Sequence, residues 1–181
     1  MFSIFGRMSA LLGSIPYSLV ALYLRVVVAW TFFSLGQEKV DGAKIGTDLL
    51  GYEISFKLPS SLLETTFLLA ANDYKLPLIP SPWVAYVVSY AEHLLPVLIL
   101  LGLATRLSSF VLLVMVLVAQ VFIFPNLWWS LHAYWIGLLL VLMTRGAGHI
   151  SLDGFFGLFR RKPKPLPRFA PEAQQPAAVL G

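Results

Sequence analysis

Four runs of apolar residues, each close to the length a helix needs to cross a bilayer, constrain this chain more than any other feature. They extend from Ser14 to Leu35, from Trp83 to Leu103, from Leu107 to Phe124 and from Trp128 to Thr144. At ~1.5 Å per residue, about 20 residues match a hydrocarbon core ~30 Å thick. The runs fill nearly half of the 181 residues, and with 58% hydrophobic and 12% charged residues the chain has far too little polar surface for a water-soluble domain. Punctuation supports the boundaries. Ser14 is a candidate N-cap with Pro16 in the first turn, Pro80 and Pro82 introduce the second run, Pro125 stops the third, and Gly146 and Gly148 end the fourth. Arg25 inside the first run, with no small-residue cleavage site after it, argues against a removed signal peptide. The turns between the last three runs are short, which makes those spans antiparallel neighbours. The expected fold class is therefore all-α, an integral membrane four-helix bundle.

Lysine and arginine placement sets the expected orientation. Arg7, Arg106, Arg145, Arg160, Arg161, Lys162, Lys164 and Arg168 fall on one side, whereas Lys39, Lys44, Lys57 and Lys75 in the long first loop are offset by six acids. Both termini are expected in the cytoplasm. Within the loop, Ser61 and Glu64 have capping-box spacing ahead of an apolar run to Ala71, which predicts a short amphipathic helix at the outer surface. Residues 1–153 form the membrane domain in this reading, and 154–181 form a basic, proline-rich, disordered tail. The net charge of +4 gathers beside apolar spans, so it points to the lipid bilayer rather than nucleic acid. Without cysteine the chain has no disulfide, thiolate nucleophile or cysteine-held metal of its own.

Ionisable groups within a span cost about 2.5–3.5 kcal/mol to insert, so each needs a partner or a wet cavity. Arg25 and Glu92 are the two such groups, and helix depth counted from flush inner ends brings them together as an ion pair. Pro96 removes the helical donor to the Glu92 carbonyl. The same count places His93, Gln120 and His132 in one polar layer, edged by Trp128, Trp129, Trp135, Tyr90 and Tyr134. Arg25, Glu92, His93, Gln120, His132 and Trp135 are thus the candidate lining of an intramembrane ligand pocket, with no metal site expected. For the ion pair, a structural staple is the competing reading. For the tryptophans at the start of the fourth run, it is an interfacial belt. Haem held by two histidines is the weaker alternative to a hydrogen-bonding or proton-relay role.

These residues resemble the DoxX family of four-span bacterial and archaeal membrane proteins. Arg25, Phe32, Gly36 and Lys39 are similar to that family's series in the first span; Ala91 to Ser109 resembles its glutamate-led helix and arginine-bearing turn; and Gly146 to Asp153 resembles its closing SLD segment. The first loop is longer than is usual there, and Leu95 and Pro96 stand where small residues are expected. The resemblance implies the bacterial plasma membrane and a respiratory or oxidative-stress role, with a quinone or small anion bound near Arg25, Glu92 and His132. Redox partner subunits or a homo-oligomer would complete the system, and the chain alone need not be an enzyme. The competing function is a carrier or scaffold in which the ion pair gates or staples the bundle.

Overall fold

The computed structural model describes residues 2–49, 51–74 and 79–157. Lys75 and the basic residues from Arg160 to Arg168 lie outside the described residues, as does nearly all of the expected tail. Helix α1 (Phe2–Gly13) precedes α2 (Tyr17–Gln37); α3 (Glu64–Asn72), α4 (Ser81–Leu101), α5 (Thr105–Phe122), α6 (Ala133–Arg145) and the short α7 (Leu152–Phe155) follow. Helices α2, α4 and α5 and the segment Pro125–Arg145 are long and apolar enough to cross a membrane. The expected spans are therefore present, and their limits differ by about two or three residues at most helix ends.

The departures have local causes. Ser14 does not cap α2; its hydroxyl donates to the Leu11 carbonyl at the end of α1, and Pro16, with φ −67°, occupies the N-cap. The fourth span does not begin as a regular helix: Pro125–Leu127 form a 3₁₀ turn and Trp128–His132 a π turn before α6. The chain is also not wholly helical. In the first loop β1 (Val40–Asp41) pairs antiparallel with β4 (Ser61–Leu62), and β2 (Lys44–Leu49) pairs with β3 (Tyr52–Lys57) in a hairpin that turns at Gly51, φ +82°. Ser61 belongs to β4, so the capping box does not form, and α3 starts at Glu64 after Leu63.

Helix α2 packs along α4, α4 along α5, α5 along α6, and α6 returns to α2. Lipid is as apolar as leucine, so tight packing rather than water exclusion must hold such helices together. Val28, Phe32, Ile99, Leu112, Leu113, Val116, Leu139 and Leu142 fill the middle of the bundle. Gly36 lets α2 approach α4: a Cβ there would stand 2.8 Å from the His93 ring and 3.2 Å from the Glu92 carbonyl carbon. Ala70 packs against Val84 and Ala85, seating α3 on the start of α4. One end of the bundle thus carries the long loop, and the other carries the start of α2 and the end of α6. We call these the loop end and the terminal end.

Candidate functional site

Near the loop end a cavity of ≈ 200 Å³ opens between α2, α4, α5 and the π turn. Phe32, Val88, Met115, Val116 and Trp135 give it apolar walls, and Lys39, Tyr74, Glu92 and His132 supply polar atoms. Three rings define one wall, with Trp135 tilted against Phe32 at 5.1 Å and against His132 at 5.6 Å.

Glu92 is buried on α4, and its Oε2 accepts from Lys39 Nζ at 2.5 Å. Lys39 follows the end of α2, where the chain turns back over the helix and its Nζ also reaches the Leu35 carbonyl at 3.4 Å. The Lys39 backbone is anchored: its N–H donates to Gly36, and its carbonyl accepts from Leu63 N and Thr66 Oγ1. Among the described residues only one Glu92 oxygen is engaged, and the other is left to the cavity.

His132 is 2% exposed and its tautomer follows from a chain of contacts. The Pro125 carbonyl accepts from Gln120 Nε2 at 2.8 Å, which fixes the amide so that Oε1 faces the imidazole. His132 Nδ1 lies 2.6 Å from that oxygen and must donate to it. Nε2 is then the unprotonated nitrogen, an acceptor. Tyr74, just beyond α3, completes the lining with its ring edge-on to Phe124 at 6.2 Å. Burial pushes its phenol above the ordinary tyrosine value, and the negative charges of Glu92 and Asp73 add to the effect.

The expected pair of Arg25 and Glu92 does not form. Arg25 sits level with Gly102, where a Cβ would overlap its Nη1, whereas Glu92 sits level with Gly36, roughly 16 Å further along α2. The depth count fails because α2 begins about two turns below the end of α4, so the two helix ends are not flush. Arg25 instead donates through Nη2 to the Ile150 carbonyl at 2.5 Å, with Asp153 nearby, while Nε and Nη1 have no partner among the described residues. His93 is also outside the cavity. Its Nδ1 donates to the Ser89 carbonyl at 2.8 Å and its Nε2 accepts from Gln37 at 3.0 Å. Gln37 in turn holds the backbone of Lys57 through both its amide atoms, so His93 fastens the β-hairpin to α4. Of the aromatic edge only Trp135 lines the cavity close to its polar groups; Trp129, Tyr90 and Tyr134 are about two-thirds exposed or more. Among the described residues no cluster of three potential metal ligands occurs.

Lys39 and Tyr74 are the site residues that sequence reasoning missed. Lys39 carried a signal, since Phe32, Gly36 and Lys39 recur at helical spacing on the face that meets Glu92. Tyr74 carried none.

The chain belongs to the DoxX family, whose profile matches residues 20–125 and so covers both Arg25 and the Lys39–Glu92 pair. It is similar to an uncharacterized protein of Haemophilus influenzae, 29% identical over 147 residues that cover 73% of this chain and 80% of the relative. No solved structure matches.

Proposed function

We propose that this multi-pass DoxX-family protein resides in the bacterial plasma membrane with both termini in the cytoplasm, and that its loop-end cavity binds the head of a hydroquinone. The observation that carries the reading is His132, its Nδ1 given to Gln120, on the wall of an aromatic-lined cavity whose other polar groups are Lys39, Tyr74 and Glu92. A volume of ≈ 200 Å³ is below the ~300–1,000 Å³ of sites that enclose a whole drug-sized ligand. It suits a ring whose isoprenoid tail stays between helices, in lipid. A small anion is a poor fit, because a buried carboxylate already lines the space and Arg25 lies at the opposite end.

A quinone offers only acceptors, whereas a quinol offers two O–H donors. With Nδ1–H committed to Gln120, His132 Nε2 accepts one quinol hydroxyl, and the free Glu92 oxygen accepts the other. Oxidation then breaks both O–H bonds: one proton passes to His132 Nε2, one to Glu92, and two electrons pass to a redox partner protein, leaving the quinone. Lys39 donates to the other Glu92 oxygen and so orients the carboxylate in the cavity wall.

Binding of short-chain ubiquinol and ubiquinone analogues to the detergent-solubilised protein under anaerobic conditions, read through tryptophan fluorescence, tests this. The quinol should bind tighter than the quinone, and His132→Phe should weaken quinol at least tenfold while melting like the parent. Equal binding by His132→Phe, or preference for the quinone, sinks the reading. The orientation is tested separately with single cysteines at Ser14 and Ser60 in this cysteine-free chain; labelling at Ser14, or none at Ser60, by an impermeant reagent added to intact cells contradicts it.

A further inference from the structure

The terminal end holds a second crevice, ≈ 410 Å³, walled by Tyr17, Ser18, Arg106, Arg145 and His149. Its two guanidiniums are positioned rather than merely present. Arg145 lies over the Tyr17 ring, 5.8 Å from its centroid, and the Tyr17 hydroxyl is tied to the Gly146 carbonyl at 2.8 Å. Arg106 runs across Gly146, where a Cβ would come within 3.1 Å of its Nε, and its Nη2 reaches the Arg145 carbonyl at 3.5 Å. Gly146 has φ +81°, a further reason for glycine there. Ser18 Oγ meets both the backbone N–H and Nδ1 of His149, holding that ring at the rim.

No acid neutralises this pair among the described residues, where Lys39–Glu92 is the one salt bridge. Asp153 lines the same crevice, but both its oxygens are turned to the backbone N–H groups of Ala104 and Thr105, at 2.9 and 3.1 Å. Two guanidiniums lining one crevice present planar forks of donors that match phosphate oxygens. Arg106 opens α5 and Arg145 closes α6, so both stand at the level where hydrocarbon gives way to lipid head groups. Beside Arg106, Leu107 and Phe110 are exposed on α5 and offer acyl chains a surface. Basic pockets between spans at this level select anionic head groups.

We propose that this crevice binds the phosphate of an anionic phospholipid of the phosphatidylglycerol type. The site is independent of the quinol cavity, and its test needs no redox assay. The full chain in neutral detergent is titrated with dihexanoyl phosphatidylglycerol, dihexanoyl phosphatidylcholine or inorganic phosphate, and the melting temperature is followed. Phosphatidylglycerol should raise it saturably, and the other two should not. Arg106→Gln with Arg145→Gln should raise the half-saturating concentration at least tenfold, while Gln at Arg160, Arg161, Lys162 and Lys164 should leave it unchanged. An equal shift with phosphatidylcholine, an unchanged curve in the Arg106/Arg145 variant, or loss of the shift on neutralising the tail each overturns the proposal. A shift reproduced by inorganic phosphate alone overturns the lipid as its source. If the double Gln variant does not fold, the parent decides: half-saturation unmoved by about 0.5 M salt, where the screening length is only a few ångströms, overturns a charge-driven site.

Discussion

Lys39 and Glu92 should behave as one energetic unit, and Arg25 should stand apart from both. The pair is mostly buried, with side-chain exposures of 12% and 7%, and separated by 2.5 Å. At an effective dielectric of about 20, that separation gives an attraction of roughly 7 kcal/mol, which desolvation of the two ions largely offsets. The net value of the pair is therefore small. Removing one partner is different, because it leaves a buried charge unopposed and costs about 3–5 kcal/mol. Lys39→Met and Glu92→Gln should each lower the melting temperature by roughly 6–20 °C at about 2–4 °C per kcal/mol, measured by differential scanning fluorimetry in detergent. The double variant should recover most of the loss, costing no more than about 2 kcal/mol, which is a coupling of at least roughly 4 kcal/mol. Arg25→Met combined with Glu92→Gln should be additive, since the two groups lie about three helical turns apart along the bundle. Additive losses for Lys39 and Glu92, or strong coupling of Arg25 with Glu92, would refute the register of α2 on α4.

Gly102→Ala should destabilise by at least about 2 kcal/mol, since φ is +71° there and the new Cβ would displace the Arg25 guanidinium; thermal melting detects it. Asp153→Ala should cost about 1–2 kcal/mol by uncapping α5, and Ala104→Gly should recover roughly half of that or more, because Ala104 is held at φ 49°; failure of the glycine to stabilise would contradict the turn. The raised Tyr74 phenol means the folded state favours the neutral form: its contribution is complete below the ordinary tyrosine value of about 10 and is lost as pH rises through the higher folded value. Parent stability should therefore fall more steeply than that of Tyr74→Phe as pH rises above about 10, in parallel melts at alkaline pH.

The four spans were legible because bilayer thickness and the proline and glycine stops act on sequence directly: Gly146 caps α6, and Pro125 follows α5 close to the expected place. The loop was less so. Tyr52, Ile54 and Phe56 alternate with Glu53, Ser55 and Lys57, a period of two that signals a strand, but a hairpin this short gains its stability from Gln37 and His93 beneath it, a contact no local pattern encodes. The capping-box spacing at Ser61 was overridden by pairing of β4 with β1. Helix α1 was missed because its apolar content is too short for a span. Within the site, Glu92, His132 and Trp135 were identifiable as costly or aromatic groups in hydrocarbon. The Lys39 partnership was not, because depth counted along one helix does not contain the stagger between two.

That stagger also bears on the carrier reading. A carrier needs its central site reachable from both sides in turn, or a polar route by which an ion leaves. Here the two ends are chemically distinct: a carboxylate, lysine and imidazole at the loop end, and Arg25, Arg106 and Arg145 at the terminal end. Between them lie Val28 and Phe32 on α2, Ile99 on α4, Leu112 and Val116 on α5, and Leu139 and Leu142 on α6, all 2% exposed or less. Such a layer excludes water, and a proton on Glu92 has no hydrogen-bonded path through it among the described residues. Arg25 closes the terminal side further, since its guanidinium is tied to Ile150 and packed against Gly102 rather than poised to follow a charge across the membrane. In this conformation that layer separates Glu92 and His132 from the terminal end. That asymmetry suits the proposed quinol site, whose protons would leave to one face, and it sets the terminal-end arginines apart from that site rather than making them the second half of a transport path.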